Sequence, residues 1–128
     1  MNESIYSVER SIVVLKPKQP FLDWINSALA SADEQLSLES IRIECNSYLI
    51  PEVAEIEDGI SCVDEIFEDL FKIEFSSWTI DENAWPKQEL TLQMFWEWFD
   101  VEISPTLVDV SEIIPIDKIF KDSTDTFH

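Results

Sequence analysis

The sequence predicts an α+β fold, a single two-layer domain in which a small three-stranded sheet is covered by about three helices. Short β-branched or alternating runs end at prolines, and longer runs repeat their apolar residues at helical spacing. No internal repeat or low-complexity tract interrupts either pattern. At 128 residues the chain has the size of one domain with one core. Residues 1–128 are therefore read as one unit, with 1–9 and about 122–128 expected to fray and 111–128 to form a tail.

Taken in chain order, the β-branched run Ile12 to Leu15, closed by Lys16-Pro17, predicts a strand over 11–16 that is buried on both sides or lies mid-sheet. Pro20 suits the first turn of a helix and Asp23 sits near the positive end of its dipole. Phe21, Trp24, Ile25, Ala28 and Leu29 then form an apolar stripe, so a helix is predicted over 20–31. Ser37, followed by Glu39, marks a short helical turn. Tyr48-Leu49-Ile50 before Pro51 predicts a second strand over 47–50.

The longest helix is predicted over 55–73, because Ile56, Ile60, Val63, Phe67 and Leu70 recur at spacings of a core-facing stripe. Gly59, the only glycine, falls inside it and should weaken it by up to about 1 kcal/mol relative to alanine. Glu74 lands on the stripe that Ile56 begins, so the regular period is expected to fail there. A loop from Ser76 to Pro86 carries Trp78 and Trp85, and Thr91 can cap a short helix over 92–98 that is apolar on nearly every side. Phe99, Val101 and Ile103 alternate with Asp100, Glu102 and Ser104, predicting a third strand within 99–110 that Pro105 interrupts. From Ser111 onward a docked tail is expected, fraying after about Lys121.

Twenty-seven acidic side chains against eight basic ones give a formal charge of −19. Such a chain repels nucleic-acid phosphates and anionic lipid head groups, so direct binding to nucleic acid or membrane is not expected. A basic protein, a cationic ligand or a hard metal ion suits it better. The plain alternative is that the charge keeps an aromatic-rich domain soluble. Five tryptophans and eight phenylalanines within a 45% hydrophobic composition supply ample material for a core. Cys45 and Cys62 are too few for a disulfide framework, and the start Met-Asn-Glu-Ser-Ile-Tyr lacks the basic and apolar regions of a secretory signal. A cytoplasmic location is the expectation.

The only histidine is His128, which leaves a Ser-His-Asp triad, a Cys-His pair and a histidine-rich metal site without a member in the body of the chain. One glycine cannot build a phosphate-cradling loop. No cofactor, catalytic set or metal site is therefore expected. What remains is carboxylate chemistry: Glu97 lies among Trp96, Trp98 and Phe99, and Asp100 and Glu102 share one strand face, where they could act as acid and base or hold a hard cation. Alternating acids on a half-buried strand are also simply its wet face.

Trp78, Trp85, Phe95, Trp96, Trp98 and Phe99 could line a ligand pocket or anchor a partner, or could pack as core. Trp96 shares the helix side of Leu92 and Phe99, apart from Met94 and Trp98, and both sides cannot easily face one core. The acidic helix side, with Glu57, Asp64, Glu65 and Glu68, is a second candidate surface, since no lysine or arginine occurs between Arg42 and Lys72. The spacing of Asp64 and Glu68, about 6 Å along a helix, would also permit nucleic-acid mimicry.

Three strings, Lys16-Pro17-Lys18-Gln19-Pro20-Phe21-Leu22-Asp23-Trp24, Tyr48-Leu49-Ile50-Pro51-Glu52 and Met94-Phe95-Trp96-Glu97-Trp98-Phe99-Asp100-Val101-Glu102, together resemble an uncharacterised family of small acidic bacterial proteins. The similarity spans about residues 12 to 110. It implies a bacterial cytosolic protein and no particular activity. The family often carries a histidine where this chain has Ser104, and the segment from Ser111 to His128 lies outside the shared region.

Three functions follow as expectations. The first is a non-enzymatic acidic domain that binds a basic protein. The second is a small-molecule or metal-binding protein, or a carboxylate enzyme, using residues 94–102. The third is a self-associating structural protein.

Overall fold

The computed structural model describes residues 6–114. Strands β1 (Ser7–Val8) and β2 (Arg10–Pro17) precede helix α1 (Gln19–Ala28), the short helix α2 (Leu38–Ile43) and strand β3 (Asn46–Pro51). Helix α3 (Ile56–Ser76), helix α4 (Leu92–Trp98) and strands β4 (Phe99–Ser104) and β5 (Leu107–Val108) complete the chain order. The main sheet is antiparallel in the order β3-β2-β4, and β1 pairs with β5 as a separate two-stranded ladder. The fold is thus the α+β domain that the sequence predicts.

β2 lies mid-sheet, but it is not buried on both sides. Ser11, Val13, Leu15 and Pro17 are buried, while Ile12, Val14 and Lys16 alternate with them and keep partial access to solvent. Register carries this division across the sheet: Ile50, Tyr48 and Asn46 oppose the buried residues from β3, and Ile103, Val101 and Phe99 oppose them from β4. The other face presents Leu49 and Ser47 with Asp100, Glu102 and Ser104.

The lead-in expected to be loose forms β1 from Ser7, with Val8 opposite Leu107. Residues 1–5 and the tail beyond residue 114 lie outside the described residues. Pro105 breaks the last strand, as expected, and Ser11 ties the corner: its hydroxyl donates to the Pro105 carbonyl at 2.8 Å and accepts from the Val53 amide at 2.9 Å. Those two bonds satisfy a fully buried hydroxyl.

Helix α1 ends at Ala28 rather than 31. Ser37 caps α2 by accepting from the Ser40 amide, and Thr91 caps α4 by accepting from the Met94 amide. α4 runs directly into β4, and the Lys18 amide donates to the Trp98 carbonyl at 2.8 Å where the helix ends. The Lys18 ammonium donates to the Trp96 carbonyl at 3.2 Å, placing a cation at the negative end of the helix.

Helix α3 departs from expectation in how far its stripe is covered and in length. It continues through Ser76, so the period does not fail at Glu74. Ile56 and Ile60, expected in the core, are 51% and 37% exposed, whereas Val63 and Leu70 are buried. Two local features mark the helix. Gly59 is buried against β4, where a methyl group on its Cα would lie 2.7 Å from the Cγ2 of Ile103. Ile56 lies on nearly the same side of the helix as the buried Val63, so its exposure, with that of Ile60, marks the end of the stripe left uncovered in the first turns. At Ile66 the backbone leaves helical geometry (φ −116°, ψ 17°), and beyond this kink the buried positions are Leu70, Phe71, Glu74 and Phe75.

The core is aromatic. Phe71 meets Phe75 and Phe95 at ring separations of 5.3 Å each, Phe99 at 5.6 Å and Trp98 at 5.8 Å. Phe21 of α1 stacks beside Phe75 and reaches Phe99 at 5.1 Å. Edge-to-face geometry predominates around Phe71 and Trp98, the arrangement that ring quadrupoles favour.

Candidate functional site

The last turns of α3 meet the start of β3 around a buried carboxyl. Glu74 is only 2% exposed. It follows Phe71 by three residues and precedes Phe75, so the aromatic packing that fixes this half of the helix also carries Glu74 inward. Register places Tyr48 and Asn46 on the inner sheet face opposite Val13 and Leu15, and both donate to the same Glu74 oxygen, Asn46 at 2.9 Å. The Asn46 amide also donates to the Ser77 hydroxyl at 3.2 Å. Burial pushes the Glu74 carboxyl above its ordinary range, against the two hydrogen bonds that favour its ionised form. The Tyr48 phenol is likewise pushed up, first by burial and then by Glu74.

A cavity of about 250 Å³ opens beside this group. Glu74, Asn46 and Ser77 line it together with Glu44 and Cys45, at the end of α2, and Trp78. Its polar groups are mainly acceptors, and it contains a carboxyl able to hold or release a proton. Among the described residues, no group of three His, Cys, Asp or Glu side chains converges tightly enough to hold a metal ion.

The aromatic group singled out in the sequence divides by depth. Phe95, Trp98 and Phe99 are buried in the core. Trp85 is half-buried against Phe75, with its indole N–H donating to the Thr79 carbonyl at 3.0 Å. Trp96 resolves the crowding of α4 by turning partly outward: it stands edge-on to Phe95, and its indole N–H donates to Asp64 at 3.0 Å. Trp78 is 41% exposed and forms a wall of the cavity.

The carboxylates of 94–102 are spread over the surface. Glu97 is exposed on α4. Asp100 pairs with Arg42 and Glu102 with Lys16, each at 2.9 Å, on the outer face of the sheet. On α3, Glu57, Glu65 and Glu68 are exposed and Asp64 is half-buried beneath Trp96. The Lys16 and Arg42 contacts are the ion pairs among the described residues, so these α3 carboxylates have no basic partner there.

Glu74, Tyr48 and Asn46 were not singled out from the sequence as a site. The signal for Glu74 was present, as an acid on an apolar stripe, and it reads equally as a break in the helix. Nothing local to Tyr48 or Asn46 indicates a partner more than twenty residues away. Searches of protein-family models, of curated proteins and of solved structures found no match to this chain.

Proposed function

We propose that this chain is a non-enzymatic acidic interaction domain that binds a basic protein partner through the outer face of α3, in a bacterial cytosol. The supporting observation is the exposed surface of α3 before the kink: Glu57, Asp58, Glu65, Ile56 and Ile60 are all exposed, and among the described residues no basic side chain pairs with the acids. Carboxylates alone would give a solvated surface of low specificity. Two branched apolar side chains left outside the core add contact area that a basic amphipathic segment can cover, while the charges steer its approach. The bacterial cytosol rests on the family resemblance.

The test is a paired capture experiment. Immobilised wild-type protein is expected to retain a stoichiometric basic partner from bacterial lysate at low salt and to release it as salt rises. A variant carrying Glu57→Lys, Glu65→Lys and Glu68→Lys, still melting cooperatively, is expected to retain none. Equal retention by both proteins contradicts the proposal, as does repeated failure of the wild type to retain any partner. Concentration-dependent self-association in sedimentation would instead favour a structural role.

A further inference from the structure

We propose that the cavity between α2, β3 and the end of α3 binds the cationic head of a small amphipathic amine or guanidine, whose apolar stem lies along Trp78. Four observations converge on this chemistry. Glu44 and Glu74 both line the cavity, and among the described residues no lysine, arginine or histidine does. The nearest arginine by sequence, Arg42, donates at 3.0 Å to the carbonyl of Pro17, which also lines the cavity, but its ion pair is with Asp100 rather than with Glu44 or Glu74. An anionic ligand would meet two carboxyls without a counter-charge.

The burial of Glu74 is the second observation. Its hydrogen-bond partners, Tyr48 and Asn46, are neutral, so the ionised carboxylate would be a buried charge with no ion-pair partner among the described residues. A buried charge of this kind is costly until one is supplied. An ammonium or guanidinium in the adjoining cavity supplies it and brings N–H donors to a site rich in acceptors.

Trp78 contributes the third observation, because a large indole left 41% exposed offers a face on which a cation can rest. The fourth is that Trp78 also lines a second, mainly apolar hollow of about 270 Å³, with Ile25, Leu29, Ala30, Leu36 and one acid, Glu34. A polar, acidic cavity and a mainly apolar hollow that share Trp78 match a molecule with a charged head and an aliphatic stem. This chemistry is offered both by a free amine and by a lysine or arginine side chain of another protein.

The test follows the indole N–H of Trp78 and the amides of Cys45, Asn46 and Ser77 by NMR during titration with hexylammonium. Hexanol and hexanoate serve as neutral and anionic probes of similar length, and a blocked lysine tripeptide as the protein-borne source. The expected result is saturable shifts with hexylammonium or with the tripeptide, and binding of hexanol and hexanoate weaker by about tenfold or more. Saturation by hexylammonium means that a free amine suffices, and saturation by the tripeptide alone identifies a protein segment as the source.

Glu74→Gln preserves shape and should weaken binding by about tenfold, and Trp78→Leu by several-fold. Glu44→Gln, at an exposed position, provides the same charge test if Glu74→Gln does not fold. Equal binding of hexanol, no saturation by either cation up to about 10 mM, or wild-type affinity in every folded variant would overturn the proposal.

Discussion

The two halves of α3 both mix apolar and acidic residues but differ in how much of the apolar set they bury. Before Ile66 the helix approaches the sheet through Gly59 and Val63, and Ile56 and Ile60 remain outside. After Ile66 it buries Leu70, Phe71 and Phe75 among rings from three other elements, and takes Glu74 in with them. Helical spacing identifies an apolar stripe, but how much of it is covered is set by what the helix touches. The stripe is buried from Val63 onward and left exposed at Ile56 and Ile60.

The largest test of this contrast is Phe71→Ala. Four aromatic neighbours surround that ring, so its loss should leave a cavity and cost about 3–5 kcal/mol in a urea titration. A cost under about 1 kcal/mol would mean that the second half is not the stabilising one.

Gly59→Ala is expected to cost about 1 kcal/mol, the strain against Ile103 exceeding the gain in helix propensity. In an Ile103→Ala background the same change should become stabilising, because the obstructing side chain is gone. Destabilisation of equal size in both backgrounds would remove close approach as the reason for the glycine.

Glu74→Gln sharpens the comparison through pH. The folded protein retains a proton on Glu74 above the ordinary carboxylate value of 4.5, where the unfolded chain has released it. The stabilising contribution of Glu74 is therefore complete below that value and is lost as pH rises through the raised folded value. Measured as a difference from wild type, so that the other carboxylates cancel, the stability of Glu74→Gln should improve over that window. A difference that stays flat with pH would contradict the burial argument. The smallest effect is expected at Ile60→Ser, about 0.5 kcal/mol or less, since that side chain contributes little to the core.

Much of the fold was legible in the sequence because its signals are local. Pro17 and Pro51 end the strands they follow, Ser37 and Thr91 cap the helices they precede, and Phe99 to Ser104 alternates as a half-buried strand must. The unread parts depend on contacts distant in sequence. The pairing of Ser7 with Val108 leaves no trace near either residue. The close approach of α3 to β4 is at Ile103, and the hydrogen bonds of the buried Glu74 come from Tyr48 and Asn46. Of the candidate sites, the acidic helix was legible as a run of charge, but the exposure of Ile56 and Ile60 within it was not.

The most direct measurement of the division of labour along α3 is an NMR titration with a basic amphipathic peptide at physiological salt. Shifts should concentrate on the outer surface of residues 56–69 and vanish in the Glu57→Lys, Glu65→Lys, Glu68→Lys variant. Shifts spread evenly over the acidic surface, with the Glu97, Asp100 and Glu102 region responding as strongly as α3, would contradict the proposed recognition face.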